Sequence, residues 1–319
     1  MRQPLSVEFC RCGSLSEATA LFKAKGVFPM TRVTIAGGTW AAVDKLTGEL
    51  SGQGVKVRVL IEDPLRAREN YGNGNVEFMG IHVEDSLSLR VAFQDTDRAF
   101  LASGDPERPS RYDLALIDAA VQAGVPYLVN LSEGGRWRGQ SAREWQSETD
   151  IHLASQGVKI TRIHPALSQD AVFGVAARFV PLALWGGTAG SGQAALVDSR
   201  DVVAATARVI LEGAERHANK IYHLTGPAAV TMGYIADYLA ENLARRVRYY
   251  HRTPDEQRTV YLRAGLLSAR IDTLLGQDSL VRHGFYAQTT SDLFDLTQRP
   301  GRSVLAWIEE HLVDFCHGQ

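Results

Sequence analysis

The amino-acid sequence predicts an α/β fold: a doubly wound parallel sheet with a smaller C-terminal substrate subdomain. From Arg32 onward, short apolar runs alternate with helical stretches at intervals of roughly 20–30 residues, the rhythm of a parallel sheet covered on both faces. Turn-forming residues close several of the runs, Asp63-Pro64 and Gly104-Asp105-Pro106 most plainly. After Pro165 the rhythm breaks, and shorter strands mix with longer helices.

The elements follow in order. RVTIAG (Arg32–Gly37) reads as a buried strand, followed by a helix over 40–51 and a second strand, VKVRVLI, over 55–61. Strands are expected at 75–80, Arg98–Ser103, 125–132 and 158–164. A helix over 110–123 places Leu114, Ile117, Ala120 and Val121 on one face, and another is expected over 142–155. Beyond Pro165 the reading is an apolar helix over 172–184 and a flexible glycine-rich loop, GGTAGSG, over 186–192. Short strands at 194–197 and Ile221–Leu224 flank a helix over 200–211. A helix over 232–243, a strand at 247–250 and three further helices complete the chain. The organisation expected is an N-terminal extension (1–30), a nucleotide-binding domain (31–165) and a substrate subdomain (166–319) interleaved with it.

Composition narrows the functional classes. With 34 basic and 36 acidic residues the net charge is −2, too little positive charge for a phosphate-backbone binder, so no nucleic-acid partner is expected. No apolar run approaches the length of a membrane span, and the first 30 residues lack the order of a signal peptide, so a cytoplasmic protein is expected. Three cysteines make no disulfide framework, and Cys10 and Cys12 have no second pair nearby to complete a metal site.

The segment Gly37-Gly38-Thr39-Trp40-Ala41-Ala42-Val43 follows the first strand and opens the first helix, where backbone N–H groups and the helix dipole favour a pyrophosphate. Gly37 can make the turn. A dinucleotide fingerprint has two further glycines, and here Trp40 and Val43 stand in their places.

The chain resembles the NmrA-like branch of atypical short-chain dehydrogenases/reductases. The resemblance runs through VTIAGGT, VKVRVLIEDPLRA, LIDAAVQAGVPYLVNLS, ASQGVKITRIHPAL, ALVDSRDVVAATARVIL and RPGRSVLAWIEEHL, in that order. It implies an extended Rossmann-like fold that binds NADP(H), with NAD(H) as the alternative. By the same resemblance Gly37, Gly38, Thr39 and Trp40 hold the cofactor, and Ser103 and His164 approach it. Arg66 matches a cation that grips the 2′-phosphate, while Glu62 replaces its partner cation. Arg58 is also near in sequence, but its strand position does not say which way it points. Asp201 matches a family aspartate and reads as fold-stabilising rather than catalytic.

Many relatives in the wider superfamily use a serine with a tyrosine and a lysine four residues apart on one helix face. Here none of the ten tyrosines is followed by lysine at that spacing, and no lysine occurs between Lys56 and Lys159. Only six of the 34 basic residues are lysines. Ser132 matches the serine, and Gln146 stands where some relatives keep a lysine. Two readings follow: a reductase that works without the usual proton-donating pair, or a cofactor-binding sensor. For the enzyme, the shared departures resemble those of angucyclinone ketoreductases. That implies NAD(P)H-dependent reduction of a ketone on a bulky aromatic polyketide in antibiotic biosynthesis, with a quinone reductase as the alternative. The small-molecule partner would then be an aromatic ketone, stacked on Trp137, Trp145 and Trp185. A glycine-rich lid at 186–192 would close over it.

Overall fold

The structure, a computed structural model, describes residues 31–37, 40–62, 74–103, 110–132 and 148–316; at Trp40, Ala41, Ser103, Ser110 and Glu148 it describes the backbone. The chain begins β1 (Arg32–Gly37), α1 (Trp40–Gly52), β2 (Lys56–Ile61), β3 (Val76–Gly80), α2 (Ser86–Ala92) and β4 (Arg98–Ser103). It continues α3 (Ser110–Gln122), β5 (Tyr127–Ser132), α4 (Glu148–Ser155), β6 (Lys159–Pro165) and α5 (Gln169–Phe179). Next come β7 (Gly186–Gly187), β8 (Gln193–Ala194), α6 (Ser199–Glu212), α7 (Ala214–His217), β9 (Ile221–Leu224) and β10 (Val230–Thr231). The last elements are α8 (Met232–Asn242), β11 (Tyr250–His251), α9 (Pro254–Arg263), α10 (Ser268–Arg282), α11 (Asp292–Thr297), α12 (Val304–Glu310) and a 3₁₀ turn at Leu312–Phe315.

The expected doubly wound α/β sheet is present. Seven strands run in the order β3-β2-β1-β4-β5-β6-β9, and every neighbouring pair is parallel. Side chains alternate between two buried faces. Val33, Ile35, Phe100, Val129 and Ile163 face α1 and α6, whereas Leu101, Leu128 and Ile160 pack with Leu116, Ile117 and Leu153 of α3 and α4. The outer strand β9 comes from the C-terminal half, which also has its own core around Phe173, Trp307 and Phe315.

Several boundaries differ from expectation for physical reasons. Helix α5 is displaced toward the N-terminus relative to 172–184. Its first residue, Gln169, is fully buried and donates to the carbonyls of Leu196 and Arg302, a polar anchor that apolar periodicity does not register. It ends before Pro181, which has no N–H to continue the ladder. The expected strand at 247–250 is displaced to β11, and four helices, not three, follow it. Helix α9 starts on a capping box between Thr253 and Glu256 with Pro254 in its first turn.

The flexible loop expected at 186–192 is a correction. Residues 186–189 are buried, and β7 pairs in parallel with β11. A Cβ on Gly187 would overlap the Tyr249 hydroxyl and the Asp278 carboxylate, and one on Gly192 would overlap the backbone of Val281. These glycines allow close packing; they are not hinges of a lid.

Candidate nucleotide-binding and catalytic site

The strand order reverses between β1 and β4, so the crevice of this sheet opens at their C-terminal ends, where doubly wound folds take ligands. Gly37 ends β1 there with φ +75°, and a Cβ on it would overlap the carbonyl oxygen of Ala102 on β4. Only a glycine fits both constraints. Three residues later α1 begins with Trp40 and runs for 13 residues, so its N-terminal N–H groups sit at the mouth of the crevice. A turn closed to side chains, followed at once by a helix N-terminus, fits the pyrophosphate of a dinucleotide. Gly38 and Thr39 lie outside the described residues, as do Arg66, Trp137 and Trp145; the side chains of Trp40 and Ser103 are not among those described.

Arg58 is excluded from the cofactor by its geometry. It is buried, its Nε lies 3.2 Å from Glu77, and it donates at 2.9 Å to the carbonyls of Ala92 and Gln94, which fixes it inside the fold. Asp201 is likewise structural: it accepts from the Arg302 backbone at 2.6 Å and pairs with that arginine's side chain. The cap of α6 is the neighbouring Asp198, fully buried and receiving the Arg200 N–H at 2.8 Å. Burial alone would raise its pKa, but the hydrogen bonds from Arg200 outweigh it and hold the carboxyl below the usual carboxylate range.

The register brings four polar residues into one row. Ser103 pairs with Ser132 across β4 and β5, and His164 pairs with His223 across β6 and β9. Leu131 pairs with Ile163, so the next step places Ser132 beside His164. Ser132 is 3% exposed. The row lies on the α3–α4 face at the C-terminal edge of the sheet. Beneath it, Asp150 of α4 is buried, with Oδ1 at 3.5 Å from His164 Nε2 and 3.6 Å from Arg162 Nε. The His164 and His223 rings meet edge to face, 5.4 Å apart. Partial desolvation, with His164 alongside, lowers the pKa of His223 below the ordinary imidazole value.

Asp150 and His223 were not singled out from the sequence. A signal for the first was there: KITRIH puts Arg162 on the inward face of a buried strand, and a guanidinium there requires an acid opposite.

Trp185 is 3% exposed and meets Tyr249 edge to face at 5.2 Å. Together with Met232, Tyr261, Leu274 and Asp278 they line a cavity of about 40 Å³, space for a few waters and too small for a polycyclic ring system. Burial raises the pKa of Asp278 although the Thr188 backbone donates to it at 2.5 Å. Burial also pushes the Tyr249 hydroxyl far above the ordinary phenol range and Tyr261 up to about 12. Among the described residues no cluster of His, Cys, Asp and Glu has metal-site geometry, and no helix is long and apolar enough to cross a membrane.

Comparison with known proteins places this geometry. The chain is 29% identical over 291 residues to a (4-alkanoyl-5-oxo-2,5-dihydrofuran-3-yl)methyl phosphate reductase of Streptomyces griseus, covering 89% of this chain and 99% of that one. It is 23% identical over 303 residues to an NAD(P)H azoreductase of Xenophilus azovorans, with 89% and 99% covered. The fold superimposes with TM-score 0.78 on the NADPH-dependent quinone oxidoreductase QOR2 of Escherichia coli in complex with NADPH, at 23% identity, over 88% of this chain and 99% of that one. Residues 29–146, which hold the first turn and five of the seven strands of the sheet, match the NmrA-like family.

Proposed function

We propose that this chain is an NAD(P)H-dependent oxidoreductase that reduces a conjugated carbonyl acceptor. The observation that carries the reading is the β1–α1 junction: a glycine that no other residue could replace, directly before a helix N-terminus at the point where the strand order reverses. The relatives named as reductases support it over a sensor. When bound, the dinucleotide supplies the hydride. Gly37, Gly38, Thr39 and Trp40 then hold its pyrophosphate, and Arg66 the 2′-phosphate of NADPH, with NADH the poorer donor. Ser103 and His164 approach the nicotinamide end from the polar row, and Ser132 contacts the acceptor oxygen.

The acceptor we propose is a ketone on a bulky aromatic polyketide of the angucyclinone type. Its supports are the absence of any tyrosine with a lysine four residues on and the conjugated, electron-poor substrates in the relatives' names. A peri-hydroxy aromatic ketone polarises its own carbonyl, which lightens the demand on the protein. Trp137 and Trp145 are proposed to stack on it; Trp185 borders the small cavity and serves packing. The test is anaerobic NADPH oxidation with an angucyclinone ketone and, in parallel, a quinone. Stoichiometric alcohol from the ketone is the expected result. Turnover of the quinone alone would replace the ketone by the quinone reading. NADPH binding with no turnover of either would move the protein to the sensor class.

A further inference from the structure

We propose that His164, held by Asp150, is a positioning residue that recharges Ser132 with the proton consumed in the reduction, in place of the missing tyrosine–lysine pair. The inference rests on the reductase reading above.

Three observations support it. The strand register puts Ser132 and His164 side by side on one face of the sheet, one strand spacing of about 4.8 Å apart. His164 stands at the crevice end of β6 with 14% of its side chain exposed, so it is shielded from bulk water without being sealed off. Behind it, the Asp150 carboxylate is 5% exposed and lies 3.5 Å from Nε2, while among the described residues Nδ1 has no hydrogen-bond partner. The buried carboxylate stands at ion-pair distance, not hydrogen-bonded, beside one ring nitrogen, and the other is the nitrogen assigned to donate.

The charged and titratable groups facing His164 are Asp150 from α4, Arg162 on the same face of β6, which approaches the same carboxylate oxygen, and His223 from β9. His223 is itself held toward the neutral form, and Asp292 of α11 accepts its backbone N–H at 2.7 Å.

The step balances. A hydride adds to the carbonyl carbon, the C=O π pair moves to oxygen, and the Ser132 O–H bond breaks as that oxygen takes its proton. Ser132 regains a proton from the His164 imidazolium, whose N–H bond breaks, and the neutral imidazole is reprotonated from solvent. The sum is ketone, NAD(P)H and one proton going to alcohol and NAD(P)⁺.

The experiment uses the full chain. In the nucleotide-free protein, ¹⁵N imidazole resonances are followed between about pH 5 and 9, with His164→Gln assigning the signal. The expected result is a titrating His164 ring whose midpoint falls by about one unit in Asp150→Asn. A ring that does not titrate, or a midpoint unmoved in the variant, overturns the proposal. With NADPH and ketone, the rate of the wild type should fall at high pH, and Asp150→Asn should move that limb to lower pH by a similar amount. His164→Gln, which leaves the Asp150–Arg162 pair in place, should lose at least tenfold in kcat together with the limb while its NADPH binding, read by fluorescence, persists. Unchanged kcat and profile in His164→Gln would overturn the proposal. Failure of the wild type to turn over any acceptor would instead overturn the reductase reading, and the imidazole titration would still decide the Asp150–His164 pairing.

Discussion

At the scale of single residues, Gly37 has two independent constraints. Its backbone is left-handed at φ +75°, and the space of a Cβ is taken by the Ala102 carbonyl. Gly37→Ala must therefore shift β1 against β4, at a cost of about 2 kcal/mol or more in thermal or urea unfolding, and abolish saturable NADPH binding. Ser132 is a different case, because the role proposed for it is chemical. Ser132→Ala should leave the melting temperature nearly unchanged and lower kcat by about two decades, measured under saturating NADPH. If instead the substrate's own hydroxyl carries the whole polarisation, activity in that variant will stay near the wild-type level. Both glycine and serine were legible in the sequence, since each follows the last apolar residue of a strand. Asp150 was legible only as a need for some acid opposite KITRIH, because one carboxylate on a short helix looks like any solvated acid until its strand partners are in place.

At the scale of elements, the segment 186–192 shows how composition misleads. Glycine-rich sequence reads as mobility, yet here it permits β7 to run against β11 and the chain to pass beside Val281. Gly192→Ala should destabilise the C-terminal half by roughly 1–3 kcal/mol, because the obstructing atoms are backbone and cannot swing away. Asp278 sits under this segment with its pKa raised by burial. A carboxyl raised in the folded state stabilises at low pH and loses that contribution as pH rises through the folded value. Asp278→Asn removes the charge and keeps an oxygen for Thr188, so its melting temperature relative to wild type should rise from pH 4 to pH 8. A constant difference would mean that the carboxyl is not held neutral. The seven strands of the parallel sheet were readable to within two residues at each end. Helix α5 shifted where a polar side chain, Gln169, carries the structure.

At the scale of the molecule, the parallel sheet was legible because alternation of strand and helix is a property of the whole pattern and survives errors at single positions. The site was only half legible. The crevice follows from strand order, but the polar row needs the register across four strands, and register is set by packing that no single segment encodes. The same packing governs response to acid. His217 is buried between Glu212 and Tyr222, and desolvation lowers its pKa although Glu212 pulls the other way. It is neutral in the fold, so the unfolded chain takes up protons first as pH falls. Stability present above about pH 6.5 should drop below it. Glu212 and Asp198, both held below their ordinary values by arginine and histidine hydrogen bonds that outweigh burial, extend the loss to lower pH. A melting temperature that falls from pH 7 to pH 5, with the upper part of the fall absent in His217→Gln, is the expected result.

The central claim is that a dinucleotide binds at the β1–α1 junction. It is tested most directly by titrating the protein with NADPH and with NADH while following nicotinamide fluorescence. The account predicts saturable one-to-one binding that is tighter for NADPH and absent in Gly37→Ala. No saturable binding of either nucleotide by the wild type, or binding that Gly37→Ala leaves intact, would contradict it.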